Sequence, residues 1–374
     1  MWIGADGPVS IRGNQLFADR FAPSHVMTRA AGTDVWCASV AVASDVVTAY
    51  QYVVDDPFLG LDLTEAPRDP LDLMRVQAER SFADPFNPAR LYPQTAVILG
   101  ERAPEQPWES ILQLPNAEVM AWFDARGAPG GTLTAHRLAS TALGNEREVT
   151  VYTPPGSLKT GPPSPLTVVL DGECWLALDL PVALDNLIAA GRIAAPVVAL
   201  VHNATRPSSY AARMLDMTCN PAFAVMLADE LLPMLRQAHR VTPDPAGTIL
   251  AGNSLTGLAA AHAAFERPDA FGNVLCSSGS LWWGVTVDGE PEWLTRQYAA
   301  AARKPIRFWV DVGLLELDRA NPVAPGIDPS RLFRTVLRAK GYDVAYHEAP
   351  GGHEFATFRR GLVKGLEALL APAG

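Results

Sequence analysis

Several things are scarce in this sequence. Cysteine occurs four times in 374 residues, at Cys37, Cys174, Cys219 and Cys276. None of the four forms a C-x-x-C or a metal-type spacing, so neither a disulfide framework nor a zinc site is signalled, and free buried thiols are expected. Basic runs are missing and the formal net charge is −10. Nucleic-acid binding draws its affinity from Lys and Arg neutralising phosphates, so polyanions are set aside as partners. No apolar run approaches the ~18 residues of a membrane span. The opening MWIGADGPVSIRGN has neither a basic nor an apolar leader-like stretch, and the expectation is a soluble, cytoplasmic protein. Internal repeats and low-complexity tracts are also missing.

What is present is a folded, enzyme-sized chain. Its 48% apolar and 19% charged content is ordinary for a globular protein, and 374 residues exceed what one core usually organises. Two domains are expected. Up to Val54 the sequence reads as short strands, VSIRGNQLFADRF and then DVWCASVAVASDVVTAYQYVV, through alternation and β-branched content. Residues 55–117 are rich in Pro, Asp and Arg, which favours extended or turn structure. The cluster Arg126-Gly-Ala-Pro-Gly-Gly131 marks the boundary, giving domains 1–126 and 127–374.

Beyond the boundary the pattern changes. REVTVYTPPG, PLTVVLDG, APVVALVHN, GTILAGNS, GNVLCSSGS, IRFWVDVG and VAYHEAPGG are short, apolar and β-branched, as strands buried on both faces should be. FAVMLADELLPMLRQAHR, LTGLAAAHAAFERPDAF and PSRLFRTVLRAKG carry helical spacing between them. Regular alternation of the two predicts an α/β fold with a mostly parallel sheet covered by helices.

The sharpest local signal is Thr248-Ile-Leu-Ala-Gly-Asn-Ser254-Leu-Thr-Gly-Leu-Ala-Ala-Ala-His262. An apolar strand, a tight turn holding a serine and an Ala-rich helix form the nucleophile elbow of an α/β-hydrolase, whose usual form is G-x-S-x-G. Here Thr256 stands in place of the second glycine and Gly257 comes one place later; a helix N-cap is the plain alternative for such a serine. Chain order favours the nucleophile. His353 follows the strand VAYHE on a Gly-rich loop, where an imidazole can act as general base. Glu316 and Asp318 follow the strand IRFWVDVG as rival orienting acids, with Asp311 inside the strand ranked third. The amide of Leu255 is one expected oxyanion donor, and the loop of Gly172 and Glu173 the other. Trp175, at the end of that loop, serves either the core or the substrate site.

These residues resemble the enterochelin esterase family. VVLDGECW, GNSLTGL, SSGSLWWG, VGLLE and PGGHEF are similar to that family's blocks in order, and Arg213-x-x-Asp216-x-x-x-Asn220 resembles another, with Asp where Glu is usual. AGTDVW at 31–36 and ADPFNP at 83–88 resemble its N-terminal immunoglobulin-like β-sandwich domain. The resemblance implies a serine esterase that opens a ferric catecholate trilactone such as enterobactin, with iron entering only as part of the substrate and no cofactor or metal site. Such a substrate is a trianion, so the acidic overall field must be overcome locally. Arg206, Arg213, Arg359 and Arg360 are the candidate guanidiniums, and Trp282, Trp283 and Tyr210 the candidate aromatics for stacking on catechols. Two other readings remain at this point: a carbohydrate or feruloyl esterase with a sugar-binding β-domain, and a ferric-siderophore binder without turnover.

Overall fold

The run Val47-Thr-Ala-Tyr-Gln-Tyr-Val-Val54 alternates tightly enough to bury most of a strand on both faces, and in the computed structural model it is the centre of the N-terminal sheet. The structure describes residues 2–3, 8–13, 26–56, 76, 78–91, 109–157, 161–204, 209–284, 290–317 and 326–372. It divides into two units, Met1–Val119 with Gly313–Pro325 and Ala349–Thr357, and Met120–Val312 with Gly326–Glu348 and Phe358–Gly374.

Among the described residues the N-terminal part of the first unit is mostly β, with helical backbone at 76 and 78–80. Its strands are β1 (Trp2–Ile3), β2 (Val9–Gly13), β3 (Thr28–Arg29), β4 (Val35–Cys37), β5 (Val47–Val54), β6 (Ser81–Phe82), β7 (Arg90–Leu91) and β8 (Glu109–Gln113). They form two antiparallel sheets, β1-β4-β3 and β2-β5-β8-β7, with β6 also pairing β5. Tyr50 and Tyr52, two residues apart and so on one face of β5, both donate their hydroxyls to Asp84 Oδ2, at 2.8 and 3.2 Å. The stretch 34–54, read as short strands, holds two of them, β4 and β5. Residues 38–46, mostly exposed, form no strand. Conversely, the Pro-rich stretch supplies β8, whose Ser-Ile-Leu core alternates between flanking prolines and pairs with β5.

The second unit is built on one eight-stranded sheet. Its strands are β9 (Thr132–Ser140), β10 (Asn145–Thr153), β11 (Leu166–Leu170), β12 (Val197–Val201), β13 (Thr248–Asn253), β14 (Asn273–Ser277), β15 (Arg307–Gly313) and β16 (Asp343–Ala349), in the order β16-β15-β14-β13-β11-β12-β10-β9. β11 runs parallel to both β12 and β13, and β13, β14 and β15 are parallel in turn. The hairpin β9–β10 closes one side antiparallel. β9 escapes the apolar pattern because it is an edge strand with most residues exposed. Strands β11 to β14 are buried throughout, as parallel strands covered on both faces must be.

The helices follow the expected alternation, with more of them than the pattern alone revealed. They are α1 (Gly172–Ala177), α2 (Leu180–Ala189), α3 (Ser209–Met217), α4 (Pro221–Val225), α5 (Leu232–Ala238), α6 (Leu255–Glu266), α7 (Trp293–Ala300), α8 (Ile327–Ala339) and α9 (Phe355–Leu369). Between α4 and α5 the helical run continues as a π-helical turn, Met226–Leu231. Pro233 lies just beyond it and has no N–H to donate one turn back, which explains the local widening. α6 is buried on nearly every side, from Leu255 to Ala264; its five alanines and Gly257 in that run keep it slim enough to be enclosed. Among the described residues no helix is long and apolar enough to cross a membrane.

Candidate active site

Ser254 sits where β13 ends and α6 begins, with φ 55° and ψ −125°. Non-glycine residues occupy positive φ rarely and at a cost of about 1–3 kcal/mol, and such strain collects at functional turns. The neighbours enforce it. A Cβ on Gly252 would stand 2.2 Å from the Thr256 carbonyl oxygen, and one on Gly257 would stand 3.0 Å from Gly279 Cα. Ser254 N donates to the Ser277 carbonyl at 3.0 Å, and Ser280 N donates to the Ser254 carbonyl at 2.9 Å. The serine is thereby fixed against the end of β14. The same turn leads directly into Trp282 and Trp283, both half-buried, with ring centroids 5.9 Å apart.

The loop after β11 supplies the second part of the site. Asp171 adopts a left-handed conformation, φ 55° and ψ 45°, and α1 starts at Gly172. Gly172 is obligatory there, since a Cβ would meet the Leu200 carbonyl carbon at 2.5 Å. The amides of Glu173 and Leu255 each fall in the first turn of a helix, where no intrahelical acceptor exists. Trp175 is 2% exposed and belongs to the core.

Asp171 itself is 2% exposed. Arg213 grips it through both carboxylate oxygens, Nε to Oδ1 and Nη2 to Oδ2, each 2.8 Å. Burial opposes its charged form most strongly, yet the Arg213 guanidinium and hydrogen bonds from Arg213, Asn203 and Thr256 hold its carboxyl below the ordinary range. Glu173 is pushed the other way, by burial first and by the Asp171 charge second.

Glu316 and His353 lie together on the loops that follow β15 and β16. Gly313 N donates to Glu316 Oε1 at 2.8 Å, and His353 Nδ1 pairs with Glu316 Oε2 at 2.9 Å. Of the rival acids, Asp311 is fully buried and accepts from Ser277 Oγ and Trp309 Nε1, both at 3.0 Å, while Asp318 lies outside the described residues. Next to His353, Glu354 accepts from Gly352 N at 3.2 Å and from Thr357 Oγ1 at 2.9 Å, which braces the imidazole's loop.

The expected arginines have varied fates. Arg206 lies outside the described residues. Arg213 is bound to Asp171. Arg359 lies over the Phe123 ring at 4.3 Å and donates Nη2 to the Leu178 carbonyl at 2.8 Å, and burial lowers its pKa to about 10. Arg360 is 5% exposed. Asp216, in the Arg213 segment, is paired with buried Arg147 at 2.7 Å. Sequence reasoning overlooked Asp171, Asn203 and Thr256 as members of the site; the signal was there in three polar residues, each at or just beyond the end of one of three neighbouring strands.

Comparison with known proteins covers nearly the whole chain. A family model described as "Putative esterase" matches residues 140–369, and one described as the N-terminal domain of enterochelin esterase matches residues 5–123. The iron(III) enterobactin esterase of Dickeya dadantii is 28% identical over 367 residues, spanning 92% of this chain and 79% of that protein. The iron(III) salmochelin esterase of an Escherichia coli O6:H1 strain is 26% identical, spanning 96% of this chain and 84% of that protein. In fold, the enterobactin esterase from Shigella flexneri, solved in the presence of enterobactin, superposes with a TM-score of 0.76 at 24% identity, covering 98% of this chain and 91% of that one.

Proposed function

The chain belongs to the enterochelin esterase family and is a hydrolase of ester bonds, and from that premise we propose that it cleaves the backbone esters of a ferric catecholate siderophore of the enterobactin or salmochelin kind. Relatives named for each of these two substrates support the class. Ser254 Oγ attacks the ester carbonyl and passes its proton to His353 Nε2. Glu316 accepts the His353 Nδ1 hydrogen, fixes the tautomer and stabilises the imidazolium. The tetrahedral oxyanion takes hydrogen bonds from the amides of Leu255 and Glu173, with Gly172 keeping that loop close. Collapse expels the seryl hydroxyl of the siderophore, which recovers the proton from His353. Water, deprotonated by the same imidazole, then hydrolyses the acyl-enzyme and frees Ser254.

The observation that carries this reading is the Ser254 backbone, held at φ 55° and ψ −125° at a strand-to-helix corner. A helix N-cap serine has ordinary extended dihedrals, whereas this strained turn is what a nucleophile elbow requires. For the trianionic ligand we assign Arg206 as the charge partner, since Arg213 and Arg359 are engaged by Asp171 and by Phe123 and Leu178. We assign Trp282 and Trp283 to the catechol rings. Iron arrives as cargo of the substrate, no cofactor takes part in these steps, and the cytoplasm is the compartment this reading assigns. The test is incubation with ferric and iron-free enterobactin followed by mass analysis of linear products. The parent protein yields linear trimer or shorter pieces and Ser254→Ala yields none; equal cleavage by both proteins refutes the assignment.

A further inference from the structure

An oxyanion hole built from two separate segments works only if the segments hold a fixed distance from one another. Here the proposed donors come from the β11–α1 loop, through Glu173, and from the β13–α6 elbow, through Leu255. Backbone hydrogen bonds within either segment fix that segment alone. The parallel pairing of β11 with β13 ends at Val169 and Ala251, and beyond it a side chain links the two segments. Thr256, fully buried, stands where the commoner elbow has glycine. Its Oγ1 accepts from Asn253 N at 2.9 Å, and shares its proton between the Asn253 carbonyl at 2.7 Å and Asp171 Oδ2 at 3.3 Å.

Asp171 is in turn held from two further elements. Arg213 of α3 binds both of its oxygens, and Asn203, two residues past β12, donates Nδ2 to Asp171 Oδ1 at 2.8 Å. The same Asn203 Nδ2 lies 2.8 Å from Glu173 Oε1, and Asn203 N donates to the Glu173 carboxylate at 3.2 and 3.3 Å. The ends of three adjacent strands, β12, β11 and β13, are thus tied at the level of the two amides. Asp171 is in the left-handed region, a conformation an aspartate keeps only where its surroundings over-determine it.

We propose that Thr256 is a positioning residue: through its hydroxyl bond to the Arg213-anchored carboxylate of Asp171, it fixes the Leu255 amide relative to the Glu173 amide and so sets the oxyanion hole. The idea rests on the function proposed above. The sequence change from glycine to threonine at this elbow then gains a purpose. The turn gives up a residue with no side chain for one whose hydroxyl locks the elbow to the neighbouring loop.

The experiment compares Thr256→Val, Thr256→Gly and Thr256→Ser with the parent protein. Valine keeps the shape and deletes the hydroxyl, glycine deletes the side chain without overfilling the site, and serine restores the hydroxyl. Two probes are used: steady-state hydrolysis of p-nitrophenyl butyrate, and the rate of Ser254 modification by an alkyl fluorophosphonate, whose reaction also places negative charge in the hole. Active sites are counted by fluorophosphonate titration, so that loss of folded protein does not pass for loss of rate. The expected result is a fall of about 10- to 100-fold in kcat and in the modification rate for both valine and glycine, with KM within about twofold and serine within about threefold of the parent. A purely structural threonine would lower Tm and leave kcat per titrated site unchanged, which overturns the proposal. Loss that appears in KM alone also overturns it. A parent protein left unmodified at Ser254 overturns the proposed function itself and is distinguishable from either result.

Discussion

His353 Nδ1 lies 2.9 Å from Glu316 Oε2, with the carboxylate side chain 1% exposed and the imidazole 26% exposed. A carboxylate has no hydrogen to give, so Nδ1 donates and the lone pair is left on Nε2, facing away from the pair. The arrangement selects one tautomer before any substrate arrives, and it selects the one that a general base requires.

That selection can be tested directly. Glu316→Gln keeps the size of the side chain, but its amide can present N–H to Nδ1 and favour the opposite tautomer. The expected outcome is a fall in kcat of about 10³- to 10⁴-fold with little change in fold. Steady-state cleavage of ferric enterobactin measures it, and a kcat within threefold of the parent would move the orienting role to another carboxylate, with Asp318 first in line.

Glu354 offers a prediction about stability and pH. Its carboxyl is 1% exposed, and its pKa is raised from 4.5 to about 8, chiefly by burial and further by the Glu109 and Glu316 charges. The native state therefore holds this proton across a window where the unfolded chain has lost it. Stability that is fully present below about pH 4.5 falls as pH rises and levels off above about pH 8, at a rate of at most about 1.4 kcal/mol per pH unit. Glu354→Gln should flatten the profile. Urea unfolding of parent and variant between pH 5 and 9 reads the difference, and parallel profiles would contradict it.

The Arg147–Asp216 pair predicts a non-additive result. Both side chains are buried and 2.7 Å apart, and Arg147 also lies 5.5 Å over the Phe223 ring. Arg147→Met alone strands a carboxylate in a poorly solvated place and should cost about 3–5 kcal/mol. Combined with Asp216→Leu, most of that loss should return. Calorimetric unfolding of the two singles and the double decides the matter, and simple addition of the single effects would count against a coupled buried pair.

Gly252→Ala tests how tightly the elbow is built. The new methyl would stand 2.2 Å from the Thr256 carbonyl oxygen, a backbone atom that cannot swing aside. The turn must open, with an expected loss of about 1–3 kcal/mol of stability and about 10²-fold or more in Ser254 reactivity. Fluorophosphonate labelling of the folded variant is the readout, and a parental labelling rate would show that the elbow tolerates relaxation.

The sequence alone carried the periodic and the local information. Apolar runs bounded by turns placed β10 to β16, small residues around Ser254 marked a strand meeting a helix at close range, and chain order pointed to His353. These were legible because burial on both faces of a strand, and close approach at a turn, leave their mark on the residue types of a short continuous segment. Edge strand β9 left a weaker mark, since most of its residues face water. Of three carboxylates within a few residues, the sequence put Glu316 and its close rival Asp318 ahead of Asp311 by their place beyond the strand end; the fold buried Asp311 against Ser277 and Trp309 and brought Glu316 to His353. The arginines were equivalent until Asp171 took Arg213 and Phe123 took Arg359. The reason is that a charged side chain's role depends on which partner meets it, and the partners here lie 42 and 236 positions away in the chain. Secondary structure follows from neighbours in sequence, whereas pairing, protonation and the spacing of two amides follow from neighbours in space.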